Sequence, residues 1–399
     1  MQKEKKVLLE LLERALQKEN KKDRVPEESE LSEAQWQKLI AMAEKHAVLS
    51  LLYEPLKECR ALEGTLWKKT KQISRQTVRT SYRLLFLNKY ITELLAEHEI
   101  SVIALKGVST ASLYPVPELR KSGDVDLLVP DAGKHVKACR ILQENGFRIK
   151  EEQKTLHHIE LENDEKISVE LHGMLAEPFE SQKVNGYLSQ LLPDYEKNVR
   201  INRCWGIDFL EPTDAYHAFY LILHMLQHFL RAGFGLKNLC DWVVFWNRDV
   251  AQKEKEQFRT MAAESGTIGF IRILTAACVK YLGLERNRVA FLLDKEVRND
   301  VIEEFIEEIF EAEEFGKSKG NRMVAMRDTG MLAYMREFHH QMRLNYPRAA
   351  KAGITWPFLW LATLCRFLYN NHTIRNISSA EILRKAGKRS RLIKHMKLF

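Results

Sequence analysis

Asp124 and Asp126 stand in a Gly-Asp-Val-Asp sequence followed by the apolar run Leu127-Leu128-Val129. In an extended chain alternate side chains share a face, so both carboxylates point one way and Val125, Leu127 and Val129 the other. Two carboxylates about 6–7 Å apart on one strand face repel each other unless a cation lies between them. Hard oxygen donors of this kind suit Mg²⁺ working on a phosphate-bearing substrate. A third acid obeys the same rule. In Ile167–His172, alternation turns Ile167, Val169 and Leu171 inward and leaves Ser168, Glu170 and His172 on the opposite face.

If these two strands are neighbours, three carboxylates share one surface and can hold two Mg²⁺ ions. One bridges a triphosphate, and the other lowers the pKa of an attacking hydroxyl, with Glu170 as base or ligand. An isolated Asp-x-Asp is more often a solvated acidic pair. The Lys106-Gly107 turn upstream and the Pro-containing loop between them favour the chemical reading.

Arg120, four residues before the pair, carries a fork that suits a phosphate or a carboxylate; a surface pairing with Glu118 is the bland alternative. Farther on, His217, His224, His228 and Arg231 fall within a stripe about 60° wide on one helix, opposite Phe219, Leu223, Leu226, Phe229 and Leu230. His224 and His228 have zinc-helix spacing, but Met225 and Gln227 leave no glutamate base, which argues against a metalloprotease. The expectation is a cleft wall of His224, His228, Lys237 and Asp241 facing the acids. A structural role for the two histidines through Asp241 is the equal alternative.

The elements that must position these groups follow from periodicity. Helices are expected over 1–20, from a Ser32 cap, and over 68–97. Strands are expected at 101–105, 124–129, 147–151, 156–162 and 167–171, with a helix from Asp131 to Asn145 ending at Gly146. Beyond Pro212 the pattern is helical: 213–231, 236–248, 252–264, 267–282 and 298–315. The glutamates of 303–314 read as a solvated face opposite Ile302, Phe305, Ile306, Ile309 and Phe310. The whole is an α+β chain: an N-terminal helical region (1–75), a small mixed-sheet core (76–211) and a C-terminal helical domain (212–399).

Bulk properties bound the rest. The 399 residues are 45% hydrophobic and 29% charged, ordinary for a globular protein. The six cysteines are scattered with no Cys-x-x-Cys pair, which fits reduced thiols in a cytoplasm. The N-terminus reads as a charged amphipathic helix rather than a leader. Of the net charge of +8, residues 384–399 supply seven Lys/Arg and no acid, so the tail is basic and the body nearly neutral. Such a tail could meet nucleic acid, although a solvated terminal helix is the commoner outcome. The apolar stretch 354–369 is too short to span a membrane and contains Pro357 and Arg366; it reads as a buried helix with a Trp356/Trp360 face.

Strand, glycine turn, about fifteen residues, Asp-x-Asp and a later acidic strand together resemble the DNA polymerase beta-like nucleotidyltransferase superfamily. More narrowly, LKG, LYP, the GDVDLLV strand and VELHG resemble a large bacterial family of uncharacterised nucleotidyltransferases. Residues 36–54 and the His-x-x-x-His and Asp pattern of 224–242 extend the resemblance to most of the chain. It implies Mg²⁺ on Asp124, Asp126 and Glu170, nucleotide phosphates at Lys106 and Gly107, and an NTP as co-substrate with an unknown acceptor. The superfamily turn usually has Gly or Ser after its glycine, and here Val108 follows Gly107. Lys106, with Ser109, would then supply part of the phosphate contact. A degenerate, non-catalytic nucleotide sensor is the alternative.

Overall fold

The computed structural model describes residues 1–17, 31–57, 64–150, 158–179, 181–231, 233–312, 353–369 and 390–398, with isolated positions between 335 and 349. At the N-terminal end lie α1 (Lys3–Leu16), α2 (Glu33–Lys45), α3 (Tyr53–Lys57) and the long α4 (Thr65–Ala96). The Ser32 hydroxyl accepts from the Gln35 N–H, and the Gln35 side chain reaches back to the Ser32 N–H, so the expected cap is a complete capping box. Then follow β1 (Ile103–Ala104), α5 (Val108–Ala111), β2 (Asp124–Leu128), α6 (Ala132–Glu144), β3 (Arg148–Ile149), β4 (His158–Glu162) and β5 (Ser168–His172). The Asp131 side chain caps α6 through the Lys134 N–H.

These five strands form one mixed sheet in the order β1-β2-β5-β4-β3. Only β2 and β5 are parallel, in a register that sets Asp126 beside Glu170 and Leu128 beside His172. A parallel pair needs a crossover, and α6 with β3 and β4 fills it. The remaining elements are α7 (Gln182–Lys197), a hairpin of β6 (Val199–Cys204) and β7 (Ile207–Pro212), α8 (Asp214–Arg231), α9 (Leu236–Trp246), α10 (Gln252–Glu264), α11 (Ile268–Tyr281), α12 (Asn299–Ala312) and α13 (Trp356–Tyr369). The sequence reading assigned nothing to α7, β6 or β7. Alternation in Val199–Leu210 and the Trp205-Gly206 turn were the available signals; both turn residues take positive φ, 49° and 77°, the signature of a tight hairpin.

Each face of the sheet is covered. Val125, Leu127, Val129, Val169 and Leu171 join α4 and α6 in one apolar core. Ile103 and Leu128 belong to a larger core that runs from α1 and α2 through α8, α9, α11 and α12. The carboxylate face of β2 therefore looks toward packed helices, with a cleft left between them.

Two expectations change. The glutamates of α12 do not simply face solvent: Glu308 is buried, Glu307 pairs with Lys5 and Glu304 with Arg391, so this face is an ionic seam to the chain ends. Glu313 and Glu314 lie outside the described residues. The helix over Trp356–Tyr369 is not buried: Phe358 and Leu361 are exposed, and the tryptophan face rests on His339, with Trp360 Nε1 donating to His339 Nδ1 at 3.2 Å. No described helix is long and apolar enough to cross a membrane.

Of the basic tail, residues 384–389 and 399 lie outside the described residues. Residues 390–396 are helical, with Leu392, Ile393 and Met396 buried. The contact with α11 is close: a Cβ at Gly269 would fall 1.7 Å from the Met396 carbonyl oxygen. Cys139, Cys204, Cys240 and Cys278 are buried and Cys365 is exposed; Cys59 lies outside the described residues.

Candidate active site

Gly107 makes the entry to the site. Its φ of +61° is open to glycine at no steric cost, and a Cβ there would lie 3.6 Å from the Asp124 carbonyl oxygen. The turn follows β1, where the Leu105 N–H still bonds the Asp126 carbonyl, and it swings Lys106 across β2. Lys106 Nζ lies 2.9 Å from Asp126 Oδ1 and 3.4 Å from His224 Nδ1. Burial alone would pull this ammonium down, but Asp126, Asp124 and Glu170 hold it above its ordinary pKa.

The sheet register gathers the three acids as the alternation argument requires. Oxygens of Asp124, Asp126 and Glu170 lie within 4.8 Å of one another. Asp126 is 2% exposed; its Oδ1 meets Lys106 and His172, while its buried Oδ2 has no hydrogen-bond donor. A buried acceptor left unsatisfied costs about 1–3 kcal/mol, and a cation would satisfy it. Burial and the neighbouring Asp126 push the Asp124 carboxyl up to about 7. Glu170 behaves oppositely: burial opposes ionisation, yet the His172 hydrogen bond and the Lys106 charge hold it well below the usual carboxylate range. His172 Nε2 lies 3.3 Å from Asp126 Oδ1 and 3.3 Å from Glu170 Oε2. Those bonds raise its pKa against the downward pull of burial. The donor set, three carboxylates of which Asp126 keeps an orphaned oxygen, fits a divalent cation of the Mg²⁺ type.

Facing these groups is α8, buried along most of its length, with His224, Gln227 and His228 half-buried. His224 stacks near Tyr220 and meets His228 edge-on, with ring centroids 4.4 Å apart. Burial and the Lys106 charge push both imidazoles down, His228 to about 3. His224, Lys237 and Asp241 line a cleft of about 170 Å³ together with Lys106, Asp124 and Asp126. Asp241 does not bond the histidines. Its carboxylate takes Arg120 in a two-pronged bridge, Nε to Oδ1 at 2.7 Å and Nη2 to Oδ2 at 2.8 Å, and accepts from the Tyr114 hydroxyl at 2.6 Å. Arg120 is thus neither a surface residue nor a partner of Glu118; its fork holds the 106–123 loop to α9. Ser50 and Ser81 add hydroxyl bonds to the Leu119 and Glu118 carbonyls at 2.7 and 3.0 Å, which fix that loop from the N-terminal helices.

Ser109 sits elsewhere than expected. It is fully buried, with its hydroxyl 3.3 Å from His217 Nε2, on the far side of α5. His217 is also fully buried, and burial with the Arg248 charge lowers its pKa to about 3. The unfolded chain binds a proton here below pH about 6.5 and the folded chain does not. Stability from this group is therefore present above 6.5 and lost as pH falls toward 3, at about 1.4 kcal/mol per pH unit. Urea midpoints measured from pH 7 to 4 should fall, with His224 and His228 adding to the slope, and His217→Gln should reduce it by one proton's worth.

Sequence reasoning missed several residues here. His158 pairs in register with His172 across β4–β5, and His158, Glu170 and His172 also bring ligand atoms within 4.8 Å. The alternation of His158, Glu160 and Glu162 was the signal. Asn238 lines the cleft with its Nδ2 buried and without an acceptor; nothing in the sequence marks it.

No curated protein matches the chain. The crystal structure of an antigenic nucleotidyltransferase-like protein from Paracoccidioides brasiliensis is similar over 55% of this chain and 95% of its own, at 15% identity and a TM-score of 0.34, too remote to carry residue roles. The model of a family described as uncharacterised nucleotidyltransferases matches residues 32–283, more than half of the chain, and every side chain of the acid cluster and cleft falls inside it. The chain belongs to this nucleotidyltransferase family.

Proposed function

We propose that the protein transfers a nucleoside monophosphate from an NTP to an acceptor hydroxyl with the help of Mg²⁺. The observation that carries this reading is the meeting of Asp124, Asp126 and Glu170 within 4.8 Å on one sheet face, with Asp126 Oδ2 buried and lacking a donor. Asp124, Asp126 and Glu170 would hold the metal, which neutralises charge on the phosphates and acidifies the attacking hydroxyl. Lys106, beside Asp126, is placed to contact the phosphates, and Asn238 offers an amide N–H across the cleft. The acceptor oxygen bonds to the α-phosphorus, the bond to pyrophosphate breaks, and the hydroxyl proton is lost to water. Glu170, held ionised, suits a ligand better than a proton acceptor. Positioning and fixed charge supply most of the acceleration.

The cleft of about 170 Å³ is smaller than the roughly 300–1,000 Å³ of typical ligand pockets. It takes the phosphates and leaves ribose and base toward the open mouth. Titration calorimetry with each NTP, with and without Mg²⁺, followed by assay of pyrophosphate release, tests the proposal. Mg²⁺-dependent binding with slow pyrophosphate release is the expected result. Binding with no turnover for any acceptor offered would favour the sensor, and no binding would overturn both.

A further inference from the structure

One face of α4 remains outside the site described so far. Between Thr65 and Ala96 this helix carries seven Lys/Arg against the single acid Glu93. Arg75, Arg79, Arg83 and Lys89 share an outward arc of about 120° with Tyr82, Phe86 and Tyr90. All seven are exposed in the structure, and the three aromatic side chains are 38%, 61% and 45% accessible. Two of the cations meet carboxylates, Arg83 with Glu165 at 2.5 Å and Lys89 with Glu93 at 3.6 Å. Pairs so exposed contribute little and are easily exchanged for another anion.

Exposed rings at i, i+4 and i+8 are costly for a face meant only for water. Their alternation with cations is what a sequence-tolerant nucleic-acid surface needs: charge for the phosphates and flat rings for the bases.

The same helix walls the acid cluster. Ser81, Leu84, Leu85 and Asn88, on its inner side, line a cavity with Lys106, Gly107, Asp124 and Asp126. Trp205 closes that cavity, and its ring lies 5.7 Å from Tyr82. Trp205 is held at φ +49° in the β6–β7 turn, a conformation that costs a non-glycine residue roughly 1–2 kcal/mol. The hairpin thus holds an indole beside the first ring of the α4 face, at the edge of the acid cluster.

We propose that the outer face of α4 is the docking surface for a single-stranded nucleic acid whose terminal nucleotide stacks at Tyr82 and Trp205, with its hydroxyl directed to Asp124 and Asp126. This inference rests on the nucleotidyl-transfer reading for the use made of the strand. The surface itself is independent of catalysis and is tested by binding alone.

Fluorescence anisotropy of the full chain with a labelled ~20-nucleotide RNA of mixed sequence, and its DNA counterpart, should show binding that weakens steeply from 50 to 200 mM salt. Each cation in contact contributes about 0.7 to the slope of log affinity against log salt, so Arg75→Gln/Arg79→Gln should flatten it by about 1.4. Tyr82→Ala and Phe86→Ala should each weaken binding roughly 10-fold with the slope retained. All four positions are exposed, so unchanged circular dichroism should accompany the losses.

Absence of binding, or binding that these α4 variants leave untouched, overturns the proposal. Dimers in solution that Phe86→Ala disperses would also overturn it, in favour of a contact between copies of the chain. Transfer to a small acceptor without strand binding would refute this surface while leaving the nucleotidyl-transfer reading intact.

Discussion

Asp126→Asn is expected to lower Mg²⁺-dependent incorporation of α-labelled nucleotide on the order of 10³-fold or more, with folding preserved. Asp126 is the most buried of the three acids, and its Oδ2 has no donor. An amide there keeps the shape but removes the charge that a divalent ion and its phosphates need; single losses of preorganised electrostatic groups typically cost 10²–10³-fold, and a metal ligand should cost at least as much. Stability should change little, because Lys106 keeps the charges of Asp124 and Glu170 nearby and removal of one of three like charges relieves repulsion. Transfer by Asp126→Asn within about tenfold of wild type would refute the assignment. The same loss accompanied by unfolding would leave the variant uninformative, so a far-ultraviolet spectrum and a melting curve belong to the measurement. Glu170→Gln, one strand away in the Asp126 register, is the second variant that keeps the test decisive.

The largest structural effect is expected at Asp241. This carboxylate accepts both prongs of Arg120 and the Tyr114 hydroxyl, and all three residues are at most 4% exposed. Asp241→Ala strands a buried guanidinium, a loss that costs about 3–5 kcal/mol and should lower the melting midpoint by roughly 10 °C. Tyr114→Phe removes one charge-assisted hydrogen bond and should cost about 1.5–3 kcal/mol. Joint replacement, Arg120→Met with Asp241→Leu, should recover much of the stability, because neither charge is then left unpaired. Chemical denaturation of wild type, Arg120→Met, Asp241→Leu and the joint variant measures the coupling, with Asp241→Ala and Tyr114→Phe compared beside them. An Asp241→Ala protein within 1 kcal/mol of wild type would show that the bridge does not hold the loop. Catalysis by the joint variant would add a second reading: the bridge sets the loop that enters β2, so activity should fall even where stability returns.

Much of the acid cluster is local information. Alternation alone sets Asp124 and Asp126 on one face and Glu170 and His172 on another strand's matching face, because the strand period is two. The Ser32 and Asp131 caps, the Gly146 stop and the long helices from Asp214 onward are also written in short stretches, where apolar spacing and capping chemistry coincide. Arg120 shows where such reading ends. Its fork suits phosphate and carboxylate alike, and only the approach of α9 decides for Asp241 over Glu118. Ser109 fails for a related reason, since a four-residue helix turns its hydroxyl to His217, more than 100 positions away in the chain.

The sequence by itself determined which residues could carry charge chemistry and which elements hold them. Only the tertiary structure decided that β2 and β5 are parallel neighbours in the register that joins three acids. It also decided that α8 is buried along most of its length and that the inner side of α4 lines a cavity with the acids while its basic, aromatic face stays exposed. The physical reason is that pairing register and helix docking are set by contacts between distant segments, whose energies appear only when the chain closes on itself.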